Sequence, residues 1–216
     1  MMNTRKLIII NMIVIIIVAA VGIAGYYFYN QSSLYLETDN AQVSGQEISI
    51  AAPAAGKLVS WNGSVGTKFN SGDPVGQIEE QNGGTTQTIP IPIPQNGTIV
   101  QNDATTDQYV APGMPLANAY DMNNLVVTAN IDETKIQDVK VGDIVDVYVD
   151  AFPGTTLNGS VKSMGQATAS TFSLLPSSNT NANFTKVTQV IPVTIKLNDI
   201  PGGLVPGMNV SVRIHK

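Results

Sequence analysis

Shifted by 41 residues, the chain aligns with itself. Pro53-Ala-Ala-Gly56-Lys-Leu58-Val59 falls on Pro94-Gln-Asn-Gly97-Thr-Ile99-Val100. Without a gap, Gly72-Asp-Pro74-Val75 then falls on Gly113-Met-Pro115-Leu116, with Phe69 against Val110 on the way. A fixed period is the mark of one structural unit used twice. Each copy follows the same plan: a Pro-x-x-Gly turn, a short apolar strand, a polar turn, and a Gly-x-Pro corner that opens another strand. Glycine supplies backbone angles that a Cβ resists, and proline fixes the approach. Strands this short bury no face alone. The two copies, about 53–76 and 94–117, are therefore expected to pack on each other as a small β-sandwich.

Ahead of the repeat, Leu7–Phe28 carries no charged residue. At 1.5 Å per residue it reaches about 33 Å as a helix, enough for a hydrocarbon core of roughly 30 Å. In lipid a single segment must satisfy its own backbone groups, which favours helix despite its many β-branched residues. Arg5 and Lys6 precede it, no basic residue follows until Lys57, and Tyr26, Tyr27, Phe28 and Tyr29 form an aromatic belt at the far end. The positive-inside rule then puts the N-terminus in the cytoplasm and everything after the helix outside it. The competing reading is a cleavable signal peptide, for which Gly22-Ile23-Ala24 offers small residues at suitable spacing. Signal-peptide apolar regions run about 7–15 residues, so the length favours an uncleaved anchor.

Removing Arg5 and Lys6 from the 11 basic residues leaves nine against 16 acidic ones, a net charge near −7 for the exterior. That balance argues against nucleic acid as a partner, which calls for clustered Lys and Arg. There is no cysteine, so disulfides, thiolate metal sites and lipid attachment through cysteine are all excluded. Few charges and many Gly, Pro, Asn, Thr and Val make a strand-and-turn composition. After the repeat, Leu125–Ile131, Ile144–Val149, Ser160–Met164, Val187–Ile191, Val193–Leu197 and Met208–Ile214 read as strands. A short helical turn is expected over Asp132–Val139, and a hairpin turn at Asn158-Gly159. Short strands so closely spaced suggest a small β-barrel. Ile89-Pro-Ile-Pro-Ile-Pro94 removes N–H groups from one side of a strand, which reads as a protected sheet edge; a polyproline recognition segment is the alternative.

Two quasi-symmetric copies with Pro-x-x-Gly and Gly-x-Pro corners resemble the biotinyl/lipoyl fold. In its carrier domains a lysine on the hairpin joining the copies bears the cofactor. Here the joining segment Ile78–Ile89 has none, and no lysine occurs between Lys68 and Lys135. The resemblance is instead to the membrane fusion (periplasmic adaptor) proteins of the HlyD and EmrA type, which keep the fold without the cofactor. Further stretches similar to that family are Glu37–Val43, Ala151-Phe152-Pro153-Gly154, Phe172-Ser-Leu174-Leu175-Pro, Asn183-Phe184-Thr-Lys186-Val and Leu204–Met208. Many members insert a long coiled-coil hairpin at the joint, whereas this chain holds only Asn82-Gly83-Gly84, a natural tight turn.

The chain is thus expected to be mainly β: a cytoplasmic tail at 1–6, a transmembrane anchor at 7–29, a lead-in strand at 30–44, a lipoyl-like domain at 45–119 and a β-barrel at 120–216. The structure-defining residues of the repeat are Pro53, Gly56, Gly72, Pro74, Pro94, Gly97, Gly113 and Pro115. What the resemblance implies is an efflux adaptor, not an enzyme. It would need no cofactor or metal, sit in the cytoplasmic membrane and form homo-oligomers beside a transporter, of the major facilitator class sooner than the ABC class. Phe152, Pro153, Phe172, Leu174, Leu175, Phe184 and Lys186 are the candidate contacts. The alternative reading is an anchored extracytoplasmic binding or envelope-structure module without a transport role. No nucleophile elbow, phosphate loop or metal spacing is present. Glu79-Glu80 and Asp132-Glu133 are adjacent, so each pair points to two faces and reads as solvated surface. His215, the only histidine, is expected in a frayed strand end, and Trp61 to cap a small core or to mark an exposed docking patch.

Overall fold

The computed structural model describes residues 12–23, 25–26, 34–82, 85–172 and 188–216. Fourteen strands account for most of them: β1 (Tyr35–Ser44), β2 (Glu47–Ala51), β3 (Gly56–Trp61), β4 (Lys68–Phe69), β5 (Pro74–Asn82), β6 (Thr85–Pro92), β7 (Gly97–Asn102), β8 (Tyr109–Val110), β9 (Pro115–Tyr120), β10 (Val126–Asp132), β11 (Ile144–Val149), β12 (Thr156–Met164), β13 (Val190–Leu197) and β14 (Asn209–His215). The chain divides into two compact units, one of residues 42–128 with 196–209, the other of residues 1–41, 129–195 and 210–216. Residues 12–23, inside the expected anchor, are helical. Among the described residues no helix is long and apolar enough to cross a membrane; residues 1–11, 24 and 27–29 of the expected tail and anchor, and 30–33 of the expected lead-in strand, lie outside those described.

The first unit holds two four-stranded sheets, β2-β9-β7-β4 and β6-β5-β3-β8. Adding or subtracting 41 turns one order into the other, strand for strand. The exchange persists in register: Gly56↔Val110 and Lys57↔Tyr109 in one sheet answer Phe69↔Gly97 and Lys68↔Thr98 in the other. It persists in single hydrogen bonds too. Gly66 N–H donates to Ile99 O at 2.8 Å and Asp107 N–H to Leu58 O at 2.7 Å; Asn62 N–H donates to Val75 O at 2.8 Å and Asp103 N–H to Leu116 O at 2.9 Å. Neither copy therefore builds a sheet of its own, because each sheet takes strands from both. The unit of repetition also begins earlier than the Pro-x-x-Gly turn, since Ile48, Ile50 and Ala52 correspond to Ile89, Ile91 and Ile93.

One core lies between the sheets, with Ile50, Leu58, Val75, Ile78, Ile91, Ile93, Ile99 and Leu116 among its buried members and Trp61 and Phe69 packed against it. Along β6 the isoleucines turn inward and Pro90 and Pro92 outward. β6 is an outer strand of its sheet, paired to β5 alone from Pro74↔Pro92 to Asn82↔Thr85. That register leaves residues 83–84 to link the two, and they lie outside the described residues. Gly72 and Gly113, at φ +88° and +79°, precede Pro74 and Pro115 at the start of β5 and β9. Left-handed angles there turn the chain sharply with no Cβ in the way.

The barrel closes in the order β1-β10-β13-β12-β11-β14. Strict alternation fills its inside: Val145, Val147 and Val149 of β11 and Val210, Val212 and Ile214 of β14 are buried, as period-two side chains on a closed sheet must be. The structure corrects several expectations. The lead-in strand is β1, a stave of the barrel, so the barrel is not confined to the residues after 120. Asn158-Gly159 is not a turn. Both residues lie within β12, opposite Asp146 and Val145, and the β11–β12 turn falls at residues 150–155 around Gly154 at φ +84°. Pairing with β11 overrides the local turn preference of Asn-Gly. The stretches around Val187–Ile191 and Val193–Leu197 contribute one strand, β13, which contains Pro192; Val187 itself lies outside the described residues. The expected helical turn contracts to a 3-10 turn at Ile136–Asp138.

Candidate functional site

Among the described residues, the titratable side chains that pair do so on the surface and assemble no catalytic arrangement. Glu79 and Glu80 are adjacent on β5, and among the described residues no group of three or more His, Asp or Glu could hold a metal. What the fold presents is surface. On the barrel, Arg213 Nε donates to Glu37 Oε1 at 2.6 Å, and its guanidinium lies 5.4 Å from the Tyr35 ring centre and 5.7 Å from that of Tyr148. The Glu37 hydrogen bond holds the guanidinium pKa above its ordinary value. His215 Nε2 meets Asp146 Oδ2 at 2.9 Å, and its ring stands edge-on to Tyr35 at 4.9 Å. The chain end is anchored as well, with Lys216 N–H on Leu34 O and Lys216 Nζ on Asp138 Oδ2. His215 is thus the last residue of an ordered strand and not a frayed end, because β14 is held between β1 and β11. These contacts satisfy one another and tie three staves together.

Trp61 serves the core. Its ring packs against the buried cluster, over Gly63 and Gly76, and its Nε1 donates to Asn102 Oδ1 at 2.8 Å. Asn102 is its own counterpart in the second copy, 41 residues on. Two equivalent positions that touch must flank the local symmetry axis, so this bond marks where the copies meet.

Of the candidate contact residues, Phe152 and Pro153 sit in the turn before β12, Phe152 half-buried and Pro153 exposed, with Phe152 N–H donating to Val149 O at 2.9 Å. Phe172 ends a 3-10 turn, Ala169–Phe172, that follows the far end of β12. The Phe152 turn thus precedes the nine-residue strand β12 and the turn ending at Phe172 follows it. Leu174, Leu175, Phe184 and Lys186 lie outside the described residues. The repeat-defining residues occupy corresponding places: Gly56 and Gly97 open β3 and β7, Pro74 and Pro115 open β5 and β9, and Pro53 and Pro94 precede the first pair.

The structure adds exposed apolar side chains in turns and at strand starts: Val65 at 66 %, Val141 at 62 %, Ile144 at 60 % and Val205 at 42 % exposure. The signal was available in the sequence, because Val65, Val141 and Val205 stand one or two residues before a turn glycine, where polar residues are usual.

Comparison with known proteins agrees with this architecture. Residues 47–121 match the family described as "YhbJ, barrel-sandwich hybrid domain", and residues 125–214 match the "YknX-like beta-barrel domain". The chain is 44% identical over 215 residues to "Putative efflux system component YhbJ" of Bacillus subtilis (strain 168), covering 100% of this chain and 95% of that protein. It is 39% identical over 107 residues to "Colistin resistance protein EmrA" of Acinetobacter baumannii and 31% identical over 106 residues to "Multidrug export protein EmrA" of Escherichia coli (strain K12). Those two matches cover 49% of this chain and only 30% and 27% of the respective relatives. Among solved structures, MacA from Actinobacillus actinomycetemcomitans superposes with a TM-score of 0.63 over 84% of this chain and 79% of its own, at 12% identity. The periplasmic adaptor protein EmrA does so with a TM-score of 0.55 over 84% of this chain and 98% of its own, also at 12% identity. At such identities the likeness is one of fold.

Proposed function

The chain belongs to the YhbJ family of membrane fusion adaptor proteins, and from that premise we propose that it is the accessory subunit of an efflux system. The observation that carries this reading is the 44% identity sustained over the full chain, through both the duplicated sheets and the barrel. A uncharged stretch, Leu7–Phe28, would hold the chain in the cytoplasmic membrane with its N-terminus inside and its β domains outside. The work is assembly, not chemistry. A transporter passes its compound outward, and the β domains stand at its exit, in several copies, and guide release.

A transporter of the major facilitator class is favoured over an ABC pump by the likeness to EmrA proteins named for multidrug export and colistin resistance. Contacts with it are assigned to the Phe152-Pro153 turn and to the segment bearing Phe172, Leu174, Leu175, Phe184 and Lys186. Where many family members carry a coiled-coil hairpin, β5 and β6 pair up to Asn82↔Thr85, so the assembly stays close to its own membrane. Deleting the gene should lower tolerance to the exported compound and slow its efflux, and re-expression should restore both. Unchanged efflux in the deletion strain would leave an envelope-binding module as the better reading.

A further inference from the structure

The 41-residue offset carries three residues of one groove onto three residues of another. One, of about 260 Å³, runs along β3 and β5 and is lined by Lys57, Glu79, Gln81 and Tyr109 with Ala55 and Gly56. The other, of about 650 Å³, lies along β7 and β9. In it Thr98, Tyr120 and Met122 stand where the first has Lys57, Glu79 and Gln81. The offset has thus exchanged a cation, an anion and an amide for a hydroxyl, an aromatic ring and a thioether. Val65 of the larger groove corresponds to Thr106, and Val100, Val205 and Pro206 complete its apolar wall. Glu47, also in this groove, corresponds to Thr88.

Part of the difference is packing, since Val205, Pro206 and Gly207 wall the larger groove and the Tyr120 ring lies with Leu125 over Gly45; the exposed carboxylate of Glu47 is not accounted for in that way. The larger groove is also organised. Registers Glu47↔Tyr120 and Thr98↔Tyr120 set these three residues in one row across β2, β9 and β7. Glu47 makes no ion pair or side-chain hydrogen bond among the described residues. The row therefore ends in an unpaired carboxylate beside an aromatic ring, with apolar side chains beyond.

We propose that this groove binds an amphipathic organic cation. The apolar body lies against Met122, Val65, Val100 and Pro206, while the ammonium or phosphonium centre sits at Glu47 and over the face of the Tyr120 ring, where charge attraction and the ring's quadrupole act together. A volume of about 650 Å³ suits one drug-sized molecule. The chain's net charge of −5 favours cations over anions on approach. Binding stands on the groove's own geometry; naming the ligand as exported cargo rests on the adaptor reading.

The test uses the full chain in nanodiscs of neutral lipid, titrated calorimetrically with tetraphenylphosphonium against an empty-disc baseline. Saturable binding of one cation per chain is expected, with no saturable binding of tetraphenylborate, which has the same shape and the opposite charge. Glu47→Thr, which installs the residue of the other copy at an exposed position, should weaken binding about five-fold, as for loss of one exposed charge pair. Thr98→Lys with Tyr120→Glu and Met122→Gln should abolish it, while Lys57→Thr in the smaller groove should leave it unchanged. Should the triple variant unfold, Glu47→Thr decides alone. Absent saturation, equal binding of tetraphenylborate, or an unchanged affinity in Glu47→Thr would overturn the proposal. Because binding is read on the purified chain, it stands or falls separately from recovery of a transporter.

Discussion

Gly66 and Asp107 hold the same place in the two copies, and both are left-handed, at φ +88° and +72°. Asp107 is the one non-glycine with such an angle among the described residues, and aspartate is among the few side chains that tolerate it. It gains a compensating contact, an ion pair from its Oδ1 to Lys57 Nζ at 2.6 Å. That hydrogen bond raises the Lys57 pKa above its usual value, but both side chains are largely exposed and the pair is of small consequence. Gly66→Val should therefore lower stability by about 1–2 kcal/mol in urea unfolding, the cost of a left-handed angle for a residue with a Cβ. Asp107→Gly, which relieves the backbone as it removes the pair, should leave the midpoint near that of the parent chain. A second consequence follows at Trp61. A Cβ on Gly76 would meet Ser60 O at 2.6 Å and the Trp61 ring at 2.7 Å. Since a backbone oxygen cannot step aside, Gly76→Ala should displace the ring and cost about 1–3 kcal/mol. The fluorescence of this single tryptophan reports both the shift and the unfolding.

Strand β6 shows how an edge is kept unreactive. Pro90 pairs with Gln77, and having no N–H it can present none to the open side of the sheet. Pro90→Thr with Pro92→Thr restores two donors to that edge. The double variant should self-associate with rising concentration in light scattering, whereas unaltered scattering would show that the prolines serve something other than edge protection. This edge was legible in the sequence because proline alternation has a direct backbone meaning. The 41-residue repeat was legible for the same reason, its corners being held by glycine and proline. What stayed hidden was non-local. Nothing near Tyr35–Ser44 records that it pairs with β10 and β14, so its place as a barrel stave is not legible from local sequence. Asn158-Gly159 carries a strong local turn preference, and only its pairing with β11 shows that the preference is overridden. The apolar groove has no local sequence mark, because it emerges only when Thr98, Tyr120 and Met122 are set against Lys57, Glu79 and Gln81 in three dimensions.

Taken whole, the chain joins a stretch able to anchor it, a duplicated pair of sheets and a barrel, and offers no catalytic constellation among the described residues. Its use lies in where these parts are held. If Leu7–Phe28 spans the membrane, protease added to intact spheroplasts should remove the β domains and leave a small membrane-bound fragment; full protection of the chain would place those domains inside and refute the topology. The adaptor reading itself turns on partnership. Cross-linking in living cells, followed by purification of the full chain from native membranes, should recover a multi-spanning transporter together with further copies of this chain. Recovery of the chain with no polytopic membrane protein, from cells actively exporting the compound, would contradict it.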